Sequence, residues 1–301
     1  MMNPDDFAYH ACVLCGQPVD PGNEEAFGQV RGNTEGYLDR LFTLWKCPAC
    51  STIHSLEPVD FSEIYAHYPL NERRLDVFAR GTLGNLLRRL ERNGMEKSHR
   101  ILDYGCGNGL LVEFLRDRGY GKVEGWDPFV PGWQERPPGA FDWIIANDVI
   151  EHVERPQEML RDCLELLEPG GRLYVGTADA EGVRDMKNLE PHVMRLHQPY
   201  HRIIFTQEGL LRLGAESGLQ RVASWRRSYM DRLVPFSNYR FLDEFNRAHG
   251  HNMNRALDED AGKVMLKRPS LWFWAFFGYF FPSAVEPAVI WRKACEKGES
   301  G

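Results

Sequence analysis

The sequence is short of positive charge, of long apolar runs and of a leader-like start, and each shortage excludes a class of protein. Acidic residues outnumber basic ones by 43 to 36, for a formal net charge of −7 over 301 residues. A dedicated nucleic-acid binder shows a basic stripe instead. Arg88-Arg89 and Arg226-Arg227 therefore read as solvated faces, and no nucleic-acid partner is expected. The most apolar stretch, Leu271 to Pro282, is shorter than the roughly 18 residues a membrane span needs. The start, Met-Met-Asn-Pro-Asp-Asp, lacks the basic residues and apolar run of a secretory leader, so a cytoplasmic location is expected. What remains is an ordinary globular composition, 43% hydrophobic and 26% charged. The length allows one α/β domain of about 200 residues plus a small module.

The chain is organised around Arg100 to Gly109, Arg-Ile-Leu-Asp-Tyr-Gly-Cys-Gly-Asn-Gly. A short apolar run ends in Asp103, glycines alternate at 105, 107 and 109, and Leu110 to Leu115 follows with helical spacing. A buried strand that stops at an acid, turns on glycine and enters a helix brings bare backbone against a ligand. A second strand, Val123 to Trp126, ends in Asp127, 18 residues after Gly109. In a doubly wound sheet that acid lies beside the glycine turn, placed to accept the two hydroxyls of a ribose. Dinucleotide enzymes write Gly-x-Gly-x-x-Gly for a pyrophosphate. Here the third glycine comes one residue early, and Asp103 suits a cationic amino-acid head better than a pyrophosphate.

The stretch resembles motif I of the class I S-adenosylmethionine-dependent methyltransferases, and Asp127 resembles their ribose acid. Phe141 to Val153, with Glu151-His152, and Leu167-Glu168-Pro169-Gly170-Gly171 before Arg172 to Thr177 are similar to strands four and five of the small-molecule branch. The resemblance covers roughly residues 98–225. It implies an α/β fold with a doubly wound, mostly parallel, Rossmann-like sheet, and S-adenosylmethionine as cofactor. It assigns Asp103, Gly105, Gly107, Asn108, Gly109, Asp127, Phe129, Asn147 and Asp148 to the cofactor. Between Asp127 and Phe141 lie only 13 residues, four of them proline, too few for the family's helix and third strand. A shortened third-strand region is expected, with any remnant at Trp133 to Arg136. Phe129 and Trp133 either stack on the adenine or cover the sheet edge. Ala288 to Lys293 is expected as a last strand, antiparallel between strand five and the strand containing Val222.

Four of the seven cysteines form Cys12-x-x-Cys15 and Cys47-x-x-Cys50. Two such pairs, with Gly16 and Pro48 at the knuckles, suit a tetrahedral thiolate zinc site in a small N-terminal zinc ribbon. The 31 residues between the pairs require an inserted loop, Pro18 to Gly36. His54 is expected at the surface, since two complete pairs leave it no place at a metal. The expected organisation is a zinc ribbon over 1–57, a linker and helix over 58–97 and the methyltransferase core over 98–230. A helical and aromatic insertion over 231–287 and a last strand and tail over 288–301 complete it.

Tyr65 and Tyr68 either touch the methionine end of the cofactor or only pack. For catalysis, His152 and His201 are candidate proton acceptors near neutral pH. Glu151 with His152 also suits a divalent metal, as in some quinol O-methyltransferases related to the resembled branch. The run 271–282 fits a substrate lid, a peripheral membrane contact, a dimer contact or plain packing under the insertion. The expected activity is methyl transfer to an oxygen, nitrogen or carbon of a small-molecule acceptor, whether sugar, lipid-linked or natural product. A ribosomal-RNA methyltransferase and a non-catalytic zinc-ribbon adaptor with a decayed methyltransferase fold are the alternatives.

Overall fold

A computed structural model describes residues 3–66, 68–258, 260–282 and 285–295. The chain divides into two compact units, each assembled from non-consecutive segments. The first takes Met1–Pro69, Ala178–Thr206 and Arg227–Glu286, and the second takes Leu70–Thr177, Gln207–Arg226 and Pro287–Gly301. Of the expected C-terminal tail, 296–301 lie outside the described residues.

The N-terminal segment forms β1 (Phe27–Arg31), β2 (Leu41–Lys46) and β3 (Ile53–Ser55), paired antiparallel with Val30 opposite Phe42 and Trp45 opposite His54. The Pro18 to Gly36 spacer is thus more than a loop, because it contributes β1. Helix α1 (Phe61–Tyr65) starts on Asp60, whose carboxylate accepts the amides of Ser62 and Glu63.

In the second unit, α2 (Val77–Arg92) begins where Asp76 accepts the Ala79 amide at 2.7 Å. It buries Ala79, Thr82, Leu86, Leu87 and Leu90 at three- and four-residue spacing and stops before Gly94, at φ 85°. There follow β4 (Ile101–Tyr104), α3 (Leu110–Asp117), β5 (Val123–Trp126), β6 (Phe141–Asn147), α4 (Pro156–Leu166) and β7 (Leu167–Gly176). The chain then supplies α5 (Val193–Leu196) and β8 (Ile203–Ile204) to the first unit, and α6 (Gln207–Glu216) and β9 (Gln220–Arg227) to the second. Helices α7 (Tyr239–Ala248), α8 (Met253–Leu257), α9 (Val264–Lys267) and α10 (Ser270–Phe277) make the insertion, and β10 (Val285–Arg292) ends the described chain.

The second unit is built on a six-stranded sheet in the order β5-β4-β6-β7-β10-β9. The pairs β5/β4, β4/β6 and β6/β7 are parallel, and β10 runs antiparallel to β7 with Val289 opposite Val175. The last strand therefore sits between β7 and β9, as expected. Among the described residues no strand forms between Asp127 and Phe141. The 128–133 loop curls back so that the Asp127 amide donates to the Trp133 carbonyl at 2.9 Å. Trp133 to Arg136 is no remnant strand; its tryptophan closes a turn beside the edge strand β5.

The first unit has its own four-stranded sheet, β1-β2-β3-β8, in which Ile204 lies opposite Ile53. Its core joins Val30, Leu44 and Ile53 to Ala180, Val183, Met186, Leu189, Val193 and Leu196. The approach is close at Gly28, where a Cβ would lie 1.9 Å from the Met186 carbonyl oxygen. A ribbon too small to bury a core is thus completed by chain that arrives more than a hundred residues later. Among the described residues no helix is long and apolar enough to cross a membrane.

Candidate cofactor site and cysteine cluster

At the carboxyl end of β4, Asp103 is buried and the chain turns through Gly105, Gly107 and Gly109 at φ 73°, 53° and 82°. The amides of Gly105 and Cys106 donate to the Trp126 carbonyl at 2.8 and 3.1 Å, which ties the turn to β5. The three glycines have different causes. A Cβ on Gly105 would lie 2.6 Å from Val149, and one on Gly109 would lie 2.5 Å from Trp133. A Cβ on Gly107 would meet nothing within 4 Å. Packing explains Gly105 and Gly109, whereas Gly107 is the glycine that faces open space.

Parallel register sets Asp103 beside Gly125 and Tyr104 beside Trp126, so Asp127 emerges next to the turn. Its Oδ2 accepts the Gly107 amide at 3.0 Å and its Oδ1 accepts the Phe129 amide at 2.9 Å. Burial, and then the nearby Asp127 charge, push the Asp103 carboxyl up to about 8. Such a group holds its proton until a cation compensates it. The Asn108 amide donates to the Arg73 carbonyl at 2.6 Å, which fastens the turn to the chain before α2. Phe129 is exposed, and Trp133 covers Gly109 and Gly125.

The carboxyl end of β6 lies beside that of β4, and Val149 bridges the two by packing on Gly105. Asp148, at φ 55°, is fixed by its amide donating to the Gly176 carbonyl at 2.9 Å. The Asn147 amide donates to the Asp148 carboxylate at 2.7 Å. Glu151 is buried and His152 half-buried in the turn that follows.

Asp103, the glycine turn, Asp127, Asn147, Asp148, Glu151 and His152 thus belong to the second unit, whereas His201 belongs to the first. His201 is buried, and its Nδ1–H donates to the Arg195 carbonyl at 2.8 Å, leaving Nε2 as the basic nitrogen. Burial pushes its conjugate acid down to about 4, which makes it a weak base. Sequence reasoning did not find the network around His197. Its Nδ1 pairs with Asn33 Oδ1 at 2.8 Å, its Nε2 with the Tyr68 hydroxyl at 3.3 Å, and its ring stacks on Tyr200 at 4.7 Å. Asn33 lies 164 positions before His197, a pairing without any local sequence signal.

Both cysteine pairs sit in tight knuckles of the first unit: the Gly16 amide donates to the Cys12 carbonyl and the Ser51 amide to the Cys47 carbonyl. Sγ of Cys12 lies 3.4 Å from Cys50 and Sγ of Cys15 lies 3.5 Å from Cys47. All four sulfurs lie within 4.8 Å of one another, the spacing of donors around one tetrahedral ion. The hydrogen bond from Cys12 lowers the Cys50 thiol, against burial, which raises it. His54 corrects an expectation, because it is fully buried. It lies opposite Trp45 on β2, and its Nε2 accepts the Val13 amide at 3.3 Å, bracing the first knuckle.

A doubly wound parallel sheet, a glycine turn leaving its first strand and an acid ending the next define the nucleoside-binding α/β class. A family model described as a methyltransferase domain matches residues 73–224, half of the chain, and the chain belongs to that family. The ubiquinone biosynthesis O-methyltransferase of Sodalis glossinidius is 30% identical over 112 residues, 29% of this chain and 45% of the relative. That of Caulobacter vibrioides is 32% identical over 118 residues, 30% and 47% of the two chains. The chain spans about half the length of the curated relatives it matches. A solved structure of phosphoethanolamine N-methyltransferase 2 from Haemonchus contortus aligns with a TM-score of 0.49 at 14% identity, covering 81% of this chain and 64% of that one.

Proposed function

We propose that this chain transfers the methyl group of S-adenosylmethionine to a nucleophile on a small-molecule acceptor. The observation that carries the reading is the open face of Gly107, flanked by a buried acid on β4 and by the acid that follows β5. A sulfonium nucleoside offers a cationic amino-acid head and a ribose diol. Asp103 meets the first requirement and Asp127 the second. When bound, the cofactor supplies an already electrophilic methyl group, so the protein's task is alignment and exclusion of water. Asp103 gives up its proton and holds the ammonium. Gly107 lets the backbone approach, Asp127 accepts the ribose hydroxyls, and Asn147 and Asp148 line the methyl end. His152 is the stronger candidate for taking the acceptor's proton, since burial depresses His201 as a base.

The relatives' names favour an oxygen nucleophile. The acidic balance favours a small acceptor over RNA. The four cysteines hold a structural zinc ion, with Cys12, Cys15, Cys47 and Cys50 as thiolate ligands; that ion orders the knuckles and takes no part in methyl transfer. Incubation of the purified chain with S-adenosylmethionine and a panel of phenols, quinols, sugars and amines tests the reading. Acceptor-dependent release of S-adenosylhomocysteine supports it. Release from RNA alone supports the ribosomal alternative, and no binding of S-adenosylmethionine supports the adaptor.

A further inference from the structure

Helix α10 carries a surface that no step of methyl transfer requires. One side is firmly seated: Leu271 and Ala275 are buried with Phe241 of α7, and Trp274 packs beside them. Asn238 locks the contact, donating to the carbonyls of Trp274 and Ala275 at 2.9 and 3.1 Å while accepting the Phe241 amide at 2.8 Å. The opposite side is equally apolar and faces outward. Trp272, Phe273, Phe276 and Phe277 are 45–53% exposed, Phe280 reaches 69%, and Leu266 in α9 reaches 81%. A helix apolar on every side belongs in apolar surroundings on every side. An exposed aromatic cluster of this kind marks an interaction surface.

The charges beside it select the partner. From Ala261 to Pro282 the chain holds Lys263, Lys267 and Arg268 and no Asp or Glu, although the molecule as a whole is acidic. Lys263 pairs with Asp260 at 2.6 Å, whereas Lys267 and Arg268 are exposed, with no carboxylate in ion-pair range among the described residues. A two-fold contact with a second copy would set these cations against themselves. An anionic lipid surface complements them, and Trp and Phe suit the boundary between headgroups and acyl chains. With eight residues α10 is too short to span a bilayer, so docking on one would lay it in the plane of the surface.

We propose that the 266–281 surface docks on an anionic lipid bilayer, with Phe273, Phe276, Phe277 and Phe280 entering the headgroup boundary and Lys267 and Arg268 meeting lipid phosphates. The inference does not depend on the methyl-transfer reading, since the cofactor site plays no part in it. Flotation of the full chain with vesicles tests it, comparing phosphatidylcholine alone with a phosphatidylcholine–phosphatidylglycerol mixture. The chain should float with the mixture and not with phosphatidylcholine alone. Binding should weaken on the order of tenfold in Lys267→Glu/Arg268→Glu and at high salt. Phe276→Ser/Phe277→Ser, at side chains half exposed and outside the buried Phe241–Leu271–Ala275 cluster, should lose flotation while keeping its melting temperature. If those paired serines unfold the chain, Leu266→Ser with Phe280→Ser serves in their place. No flotation with the mixture, or flotation unaffected by both sets of variants, overturns the proposal. So does a concentration-dependent dimer, seen by sedimentation, that the serine variants abolish while the parent ignores vesicles.

Discussion

Asp127 holds Gly107: one carboxylate oxygen accepts that glycine's amide at 3.0 Å while the other accepts Phe129 at 2.9 Å. The acid that would receive a ribose is therefore also the brace of the turn beneath it. Asp127→Ala should weaken S-adenosylhomocysteine binding about 10- to 100-fold by calorimetry, as loss of hydrogen bonds to a charged group implies. Asp127→Asn keeps one acceptor and should fall between the two. Unchanged affinity in Asp127→Ala removes the residue from the site.

The glycines of the turn should separate stability from binding. A methyl group on Gly109 meets Trp133 at 2.5 Å, whereas one on Gly107 points into open space. Gly109→Ala should therefore lower the melting temperature clearly, through the displaced indole as well as the left-handed backbone. Gly107→Ala should cost stability only about 1–2 kcal/mol for its backbone, yet reduce cofactor affinity at least tenfold. Equal losses of affinity with equal melting temperatures would contradict the division.

Asp103 should couple proton release to cofactor binding. Its carboxyl titrates near 8 in the fold and near 3.9 in an unfolded chain, so between those values the folded state binds more protons. Stability then falls as pH rises from about 4 to 8, and Asp103→Asn should flatten that slope. A cationic head bound at pH 7 should expel close to one proton. Calorimetry in buffers of different ionisation enthalpy reads this directly; a binding enthalpy independent of buffer refutes it.

The cysteine cluster should hold one zinc ion per chain by elemental analysis. Cys50→Ser or prolonged chelation should remove it and lower the melting temperature, since a structural site contributes on the order of 10 kcal/mol to folding. The core shared with Ala180 to Leu196 should leave the stripped chain partly structured rather than fully unfolded. Full thermal stability without metal would make the four thiols a packing cluster only.

The strand, turn and helix around Asp103 were legible because each rests on local chemistry: an apolar run, an acid, glycines and helical spacing. The missing third strand was legible for the opposite reason, since four prolines in thirteen residues forbid it. Long-range facts were not. That Gly105 yields to Val149 and Gly109 to Trp133 depends on which strand ends meet. That His54 turns inward depends on its cross-strand partner Trp45, and no local pattern records that pairing. The domain limits were illegible for the same reason, because the ribbon's core is finished by residues 178–206. The aromatic run was visible, but only its seating on Phe241 shows which half is buried and which half is left outside.

Methyl transfer by this chain requires the turn through Gly107, between Asp103 and Asp127, to receive a sulfonium nucleoside. The decisive measurement is calorimetric titration of the purified chain with S-adenosylmethionine, with nicotinamide dinucleotide as the competitor. The expected result is one site per chain, weakened at least tenfold in Gly107→Ala and indifferent to the dinucleotide; no heat of binding, or displacement by the dinucleotide, would contradict it.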